Sequence, residues 1–214
     1  MSKSMCVCLG VLVFILLFSA GCAQKQGAID LYVDAVMLDE LNERDKAVEK
    51  LNAAVEMNDR FSQAYSLLGD IYQKSEDYEK SAVSYEKATE LNPWSFKDYF
   101  SLGHDYQVTK KFAPAAKAYA KACEIKPDNL DSHINAAKCY YEIKDFNSAL
   151  VYGERARKID PNAGGMQKLL GDIYGMRKNY DQAIACYKRV LETDSNNAEI
   201  MVSLAVAYLR SNNN

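Results

Sequence analysis

Histidines are the side chains best suited to acid–base catalysis or metal binding near neutral pH, and this 214-residue chain has only two, His104 and His133. The sequence contains no HExxH zinc motif, no GxSxG nucleophile motif, no phosphate-binding glycine loop and no cysteine–histidine pair at metal-ligand spacing. Its carboxylates are numerous, but they are scattered along the chain. We therefore expect a protein that is not an enzyme and that needs no metal and no cofactor.

Cysteine is the other residue type that could bind metals or form cross-links. Three of the six cysteines lie within the first 22 residues. The other three, Cys123, Cys139 and Cys186, are an odd number without CxxC spacing, which argues against a disulfide framework or a zinc site. Cys123 and Cys139 stand where small apolar residues recur, so we expect them to be inert thiols in a core.

Most of the chain recurs with a period of 34 positions. The tetrapeptide Gly-Asp-Ile-Tyr stands at 69–72 and again at 171–174, three periods later. Prolines, aromatic residues and small residues keep the same register. They are Pro93, Pro127 and Pro161; Tyr78, Phe112, Phe146 and Tyr180; Ala47, Ser81, Ala115, Ala149 and Ala183; and Ala54, Ala88, Ala122 and Ala156. A fixed period of this length indicates stacked copies of one supersecondary unit.

Each period predicts two helices. Apolar residues recur at i, i+3, i+4 and i+7, which is the spacing of one helix face. Glycine or alanine at the eighth position lets a neighbouring helix approach closely, and the proline ends the second helix. Asp77, Asp145 and Asn179 stand where their side chains can accept hydrogen bonds from the first N–H groups of a helix. Because one helix pair cannot bury its own apolar face, several pairs must stack.

This pattern resembles the tetratricopeptide repeat (TPR) family, whose unit has Leu-Gly at positions 7–8, Tyr at 11, Ala at 20 and 27, an aromatic residue at 24 and Pro at 32. Residues 62–95 match it through Leu68, Gly69, Tyr72, Ser81, Tyr85, Ala88 and Pro93. The resemblance implies an all-α fold, a superhelix of helix–turn–helix repeats. The boundaries that it implies are 28–61 for a degenerate first repeat, 62–95, 96–129, 130–163 and 164–197 for four more repeats, and 198–214 for a terminal half repeat.

The N-terminal segment has a different composition. Lys3 precedes an uncharged apolar run, which ends in Ser-Ala-Gly-Cys at 19–22. A basic start, an apolar run and a small-residue site describe a secretory signal. The last four residues also resemble the bacterial lipobox, which implies cleavage before Cys22 and lipid attachment to it. We expect a lipoprotein signal over 1–21 and a short tether over 22–27, with an ordinary signal peptide and an uncleaved anchor as alternatives.

Charge is distributed unevenly along the chain. Residues 28–95 carry 15 acidic and 7 basic side chains, and residues 96–214 carry 14 acidic and 17 basic ones, so the net charges are −8 and +3. Neither part is basic enough to indicate a nucleic-acid partner. An ordinary solvated surface and a dipolar molecule that orients a charged partner both fit this distribution.

The resemblance implies that positions 2, 5, 9, 12 and 13 of each first helix line a concave groove for a protein or peptide partner. The residues that we expect there are Phe100, His104, Val108, Ile134, Lys138, Tyr141, Lys168, Asp172, Met176, Val202 and Val206. Four of them, Phe100, Val108, Ile134 and Tyr141, are expected to be solvent-accessible rather than core, and to anchor an extended or helical peptide. The family's carboxylate clamp is not expected, because no repeat has asparagine at position 9.

The terminal helix, residues 198–209, is apolar nearly all round. We expect Val202, Val206 and Leu209 to face the groove. The core stripe is expected to be Ile200, Met201, Leu204, Ala205 and Tyr208. Such an uncovered helix fits a partner protein, a homodimer through the same helix of a second copy, or a chain cut short before its next helix.

The resemblance also implies a function. We expect a membrane-tethered scaffold for protein–protein interaction in the bacterial cell envelope, as an outer-membrane lipoprotein facing the periplasm if the cell is Gram-negative. Lipoproteins of similar build include the pilotins of type IV pili and the TPR member of the outer-membrane barrel-assembly complex, which implies a role in assembling an envelope complex. A self-associating structural module and a non-catalytic accessory subunit of a separately encoded enzyme are the alternatives.

Overall fold

The structure is a computed structural model that describes residues 25–163 and 165–212. These residues form eleven helices and no strand. The proposed signal and Cys22 lie outside the described residues. The helices are α1 (25–40), α2 (Arg44–Met57), α3 (Ser62–Lys74), α4 (Tyr78–Leu91), α5 (Phe96–Val108), α6 (Phe112–Ile125), α7 (Leu130–Glu142), α8 (Phe146–Ile159), α9 (Met166–Met176), α10 (Tyr180–Thr193) and α11 (Ala198–Ser211).

The helices form two compact units, one ending at Pro93 and the other beginning at Trp94. In the first unit, α2 packs on α3 and α3 on α4, while Ala35 of α1 joins the core that contains Leu51 and Leu68. In the second unit, each helix from α5 to α11 packs on the next one along the chain. The expectation of an all-α fold built from helix pairs is confirmed.

The turn inside each repeat reverses the chain through one residue in the left-handed region. In the turn between α3 and α4, the N–H of Asp77 donates to the carbonyl of Tyr72 at 2.9 Å, and that of Glu76 donates to Gln73 at 3.0 Å. These bonds satisfy carbonyls that the end of a helix leaves free. The residues with positive φ, between 58° and 63°, are Asn42, Glu76, Lys110, Lys144 and Lys178.

Two of the three predicted helix caps are confirmed. The carboxylate of Asp77 accepts from the N–H of Lys80, and that of Asp145 accepts from the N–H of Ser148. Side-chain hydrogen bonds with these same partners lower the pKa of both carboxyl groups. The prediction for Asn179 is wrong, because its side chain makes no capping bond.

Proline ends the second helix of a repeat, as predicted. Helices α4, α6 and α8 end at Leu91, Ile125 and Ile159, in each case two residues before a proline. The intervening residue lies outside the helical region at each of these ends, with ψ between 85° and 105°. The chain can then turn and start the first helix of the following repeat.

The glycines at position 8 allow a tyrosine ring to lie directly on the backbone of the first helix. A Cβ atom added to Gly69 would lie 2.7 Å from Cε1 of Tyr85, and one added to Gly171 would lie 2.5 Å from Cε1 of Tyr187. The hydroxyls of these rings donate to Asp70 at 2.7 Å and Asp172 at 2.8 Å. The recurring Gly-Asp pair therefore supplies both the space and the hydrogen-bond acceptor for one tyrosine.

The predicted core stripe of α11 is wrong in three of its five residues. Ile200 is buried and Leu204 half-buried, but Met201, Ala205 and Tyr208 are exposed. These three hold positions 4, 8 and 11, which face the second helix of their own repeat, as Gly69 faces Tyr85. Among the described residues, no second helix follows α11. The face that packs on α10 instead carries positions 3, 7 and 10: Ile200, Leu204 and Ala207.

Candidate partner-binding site

The second unit contains a cavity of about 220 Å³ near its C-terminal end. Helices α7, α9 and α11 supply one side chain or more each to its wall, and α10 contributes two tyrosines. Five of the expected groove residues line it: Tyr141, Asp172, Met176, Val202 and Val206. The other lining residues are Gly175, Tyr180, Tyr187, Ser203, Ala207 and Arg210.

The apolar part of this wall is accessible to solvent. Val202 is 64% exposed and Val206 is 41% exposed, and Met176 is exposed as well. Val202 and Val206 are four positions apart on α11, so they share one helix face. Tyr141 is half-buried and makes an edge-to-face contact with Phe146 at 5.7 Å. An apolar side chain that entered the cavity would therefore cover surface that is now in water.

Charged groups stand on two sides of the cavity. The carboxylate of Asp172 accepts from the hydroxyl of Tyr187 at 2.8 Å and forms an ion pair with Lys168 at 3.4 Å. Lys168 also pairs with Glu199 at 3.1 Å; that hydrogen bond and the neighbouring carboxylates raise its pKa. Arg210 is exposed and makes no ion pair within the described part of the chain. The cavity thus contains the ion-paired carboxylate of Asp172 and the guanidinium of Arg210, which is available to a ligand.

The remaining expected groove residues lie away from the cavity. Phe100 is half-buried and contacts the ring of Tyr119 edge-on at 5.5 Å, within a core cluster. Ile134 is also half-buried and packs against the core cluster around Met166. Phe100 and Ile134 are thus partly accessible and also pack against core clusters, and their role as anchors stays a prediction.

Three further members of the expected groove, His104, Val108 and Lys138, are exposed but lie away from the cavity. His104 is exposed, and its Nδ1 lies 3.3 Å from the carboxylate of the buried Asp105. Val108 and Lys138 are exposed on α5 and α7 and do not line the cavity. The structure therefore concentrates the expected site in the three helices α7, α9 and α11.

Two parts of the chain match sequence models of a known family. Sequence models of the family match residues 62–93, as a tetratricopeptide repeat, and residues 171–212, as a TPR repeat. The chain contains tetratricopeptide repeats. No protein of curated function matches it.

Solved structures with this TPR fold cover most of the chain. YrrB, "a TPR protein with an unusual peptide-binding site", is 19% identical with a TM-score of 0.71, and the match covers 88% of this chain and 96% of that one. MamA is 17% identical with a TM-score of 0.66, over 82% and 94% of the two chains. A tetratricopeptide repeat protein from Parabacteroides merdae is 14% identical with a TM-score of 0.63, over 87% and 74%. At these identities the likeness concerns the fold alone.

The TPR register explains which cavity residues the sequence could have identified. Arg210 stands at position 13 of the terminal half repeat, one of the groove positions, so the register could have included it. Tyr187 stands at position 24, where a core tyrosine is expected, and only the structure shows that its edge reaches the cavity. Tyr180 likewise belongs to a set of aromatic residues that recur every 34 positions, and it also lines the cavity.

Thiol chemistry is suppressed in this TPR protein. Cys123, Cys139 and Cys186 are unpaired and buried. Burial raises the pKa of Cys123 and Cys139 to about 12 and that of Cys186 to about 11. Since the thiolate is the reactive form, the prediction of inert core thiols is confirmed.

Metal-ligating side chains do not gather anywhere in residues 25–163 and 165–212: no three of the histidines, cysteines and carboxylates lie close enough to hold an ion. Within those same ranges, no helix has the length and apolar character needed to cross a membrane.

Proposed function

We propose that this TPR protein is a non-catalytic scaffold that binds a segment of a partner protein in the cavity between α7, α9 and α11. The repeat fold supports protein–protein interaction in general. The observation that carries the specific proposal is the exposed apolar wall of Met176, Val202 and Val206 beside the unpaired Arg210. Exposed apolar residues that gather in one place mark a binding surface more often than scattered ones do.

The chemistry of the cavity defines the segment that would fit. A large apolar side chain would fill the space between Tyr141 and the two valines, as an anchor residue fills a pocket in peptide recognition. A neighbouring carboxylate would pair with Arg210. The fold that this chain shares with YrrB, which has an unusual peptide-binding site, supports a peptide as the ligand.

Selection of peptides from a random display library on the immobilised protein tests this proposal. The selected peptides should share a large apolar residue next to an acidic one. Val206→Glu and Arg210→Glu should each weaken binding by about tenfold or more, a change of about 1.4 kcal/mol. Val151→Glu, on an exposed residue of α8 outside the cavity, is the matched control. Peptides that bind all three variants equally well would contradict the proposed site.

We also propose that lipid on Cys22 tethers the scaffold to a bacterial membrane, where it helps to assemble a cell-envelope complex in the manner of a pilotin or a barrel-assembly subunit. The Ser-Ala-Gly-Cys sequence after an apolar run supports the tether. Cells fed an alkyne fatty acid should label the protein, and Cys22→Ala should abolish both the labelling and the membrane fraction. Labelling that persists in the variant would exclude Cys22 as the attachment site.

A homodimer through α11 is the second candidate. Met201 and Tyr208 expose apolar surface on the side of α11 that faces a second helix in the other repeats, and Leu209 is exposed next to Tyr208. Light scattering should then show a dimer of the protein that Leu209→Glu dissociates. A monomer at high concentration would leave the partner-binding proposal as the explanation of the exposed helix.

A further inference from the structure

The first unit contains a second cavity, of about 350 Å³, that none of the expected groove residues lines. It lies over α3, between the second helices of two successive repeats, α2 and α4. Its floor is the buried Leu68, and the half-buried rings of Tyr65 and Tyr72 form its walls. The remaining lining residues are Asn52, Val55, Glu79, Lys80, Val83, Ser84 and Lys87. We call this cavity the aromatic socket.

The equivalent place in the second unit is filled by the protein itself. Two repeats further along, Tyr152 of α8 stands at the position of Ser84. Its ring stacks on that of Tyr140, with centroids 5.4 Å apart and an interplanar angle of 8°, and lies 5.9 Å from the ring of His133. Tyr140 and His133 correspond to Tyr72 and Tyr65 of the aromatic socket. The aromatic socket therefore corresponds to the place that a tyrosine ring fills in the second unit. In the socket that tyrosine is replaced by Ser84, and the place stays open.

In the following repeat, residues 164–197, polar side chains occupy the corresponding place. Arg157 donates to the carboxylate of Glu154 at 2.6 Å, and the hydroxyl of Tyr174 donates to the same carboxylate at 2.8 Å. The space left there is about 170 Å³, half that of the aromatic socket. Among repeats 62–95, 130–163 and 164–197, this space is therefore open in the first, filled by Tyr152 in the second and half as large in the third.

We infer that the aromatic socket binds an aromatic side chain of a partner protein, presented on a segment that carries acidic residues beside it. The aromatic preference follows from the walls, because Tyr65 and Tyr72 stand where His133 and Tyr140 hold the ring of Tyr152. Aromatic pairs of this kind are stabilised by offset stacking as well as by burial of apolar surface. The site lies wholly in the first unit and is independent of the cavity proposed above.

The acidic preference follows from the rim. Lys80 and Lys87 line the socket and form ion pairs one turn away along α4, with the half-buried Asp77 at 2.7 Å and the exposed Glu90 at 2.6 Å. Pairs this exposed contribute little in water, so a carboxylate of the partner can replace either acidic side chain. Lys80 also lies 5.4 Å from the ring of Tyr72, which places a cation at the edge of the wall.

Fluorescence anisotropy with a labelled peptide, Gly-Glu-Glu-Phe-Glu-Gly, tests the inference on the whole chain. We expect saturable binding at a Kd of roughly 0.1–1 mM, as one buried ring allows. Replacing the phenylalanine of the peptide by alanine should weaken it by about tenfold. Ser84→Tyr should weaken binding by the same factor, because the new ring would occupy the socket as Tyr152 occupies its counterpart, whereas Ser84→Ala should leave it unchanged.

Rim variants give an independent test if Ser84→Tyr fails to fold. Val83 is 61% exposed and lines the socket, and Val151, at the same repeat position of α8, is 62% exposed beside the place that Tyr152 fills. Val83→Glu should weaken peptide binding by about tenfold, and Val151→Glu by less than about twofold. Equal effects of the two variants, or equal binding of the alanine peptide, would overturn the inference. A dimer that Val83→Glu dissociates would also overturn it, because a second copy would then cover the socket.

Discussion

Repeats 62–95 and 130–163 build the same helix pair from differently placed aromatic rings. In the first, Gly69 makes room for Tyr85 at position 24, and position 23 is Ser84. In the second, position 8 is Ala137, position 24 is Gly153 and position 23 is Tyr152. The ring has moved by one residue along the second helix, from the face that packs on the first helix to the groove between neighbouring second helices.

This one-residue shift decides where open space lies. A ring at position 24 is buried and leaves the groove above α3 empty, whereas a ring at position 23 fills the groove and stacks on Tyr140. The polar partner changes along with the ring. Asp70 at position 9 accepts from Tyr85, while Lys138 at the same position in the other repeat has no tyrosine beneath it and is exposed. Between these two repeats, positions 8, 9, 23 and 24 therefore change together.

Removing the ring of Tyr152 should have the largest effect on the stability of the fold. Tyr152→Ser would leave Tyr140 and His133 without their stacking partner, and we expect a loss of about 3–4 kcal/mol in the free energy of unfolding. Ser84→Ala should cost less than about 1 kcal/mol, since Ser84 only donates to the carbonyl of Lys80. Urea denaturation followed by circular dichroism measures both.

Thiol labelling shows which unit each variant affects. All cysteines of residues 25–212 lie in the second unit. Their pKa values, raised to between about 11 and about 12, keep them unreactive at pH 8 until that unit opens. Tyr152→Ser should therefore accelerate the labelling of Cys123 and Cys139, and Ser84→Ala should not. Equal destabilisation by the two substitutions would mean that the two repeats do not differ as described.

Replacing a glycine at position 8 by alanine should have an intermediate effect on the free energy of unfolding. In Gly171→Ala the new methyl group would meet the ring of Tyr187 at 2.5 Å, and the ring is buried and cannot move aside. We expect a net loss of about 1–3 kcal/mol, after the gain in helix propensity from glycine to alanine. In Gly153→Ala the methyl group would lie 2.9 Å from Cδ2 of Leu170, the end of a flexible side chain, and its next neighbours, Cγ of Leu170 and Sδ of Met166, are 3.6 and 3.8 Å away. That variant should lie within about 1 kcal/mol of the parent protein.

A reversed order of these two variants would show that the ring at position 24 is not what makes glycine necessary at position 8. Thermal melts of both variants under the same buffer conditions are sufficient to rank them. Gly69→Ala, which meets Tyr85 at 2.7 Å, should resemble Gly171→Ala and extends the test to the first unit.

The smallest effect concerns a feature that the two repeats share, the aspartate cap of the second helix. Asp145→Ala should cost about 1 kcal/mol at pH 7, and Asn179→Ala should cost less because Asn179 makes no capping bond. The hydrogen bond from Ser148 lowers the pKa of Asp145, so the cap stabilises the fold above the unfolded-state pKa of 3.8 and is lost as the pH falls through the lower folded value.

Urea denaturation of Asp145→Ala and the parent protein between pH 7 and pH 2 measures this contribution. The difference between the two proteins should be constant at neutral pH and should shrink once the pH is below about 4. Asp77→Ala should behave in the same way, since Asp77 caps α4 with the same geometry. A difference that does not change with pH would mean that the carboxylate charge plays no part in the cap.

The sequence by itself determined the helix pairs, their register and the buried thiols. Each of these follows from local spacing: the 34-residue period places Gly69 opposite Tyr85, and Pro93 ends α4 through its own backbone geometry. The same logic succeeded for the caps at Asp77 and Asp145. It failed for Asn179, whose side chain makes no capping bond.

Only the tertiary structure decided which faces are covered. Position 8 of α11, Ala205, is exposed although the same position is buried in α3 and α9, because burial there depends on a second helix that the described residues do not contain. Phe100 and Ile134 hold groove positions but also pack against core clusters, each of which combines residues of their own repeat with residues of the next. The cavity beside Arg210 and the aromatic socket each combine residues from three or more helices. A period in the sequence specifies the position of a side chain within its repeat, whereas the space around it depends on the sizes of its neighbours, and these differ from repeat to repeat.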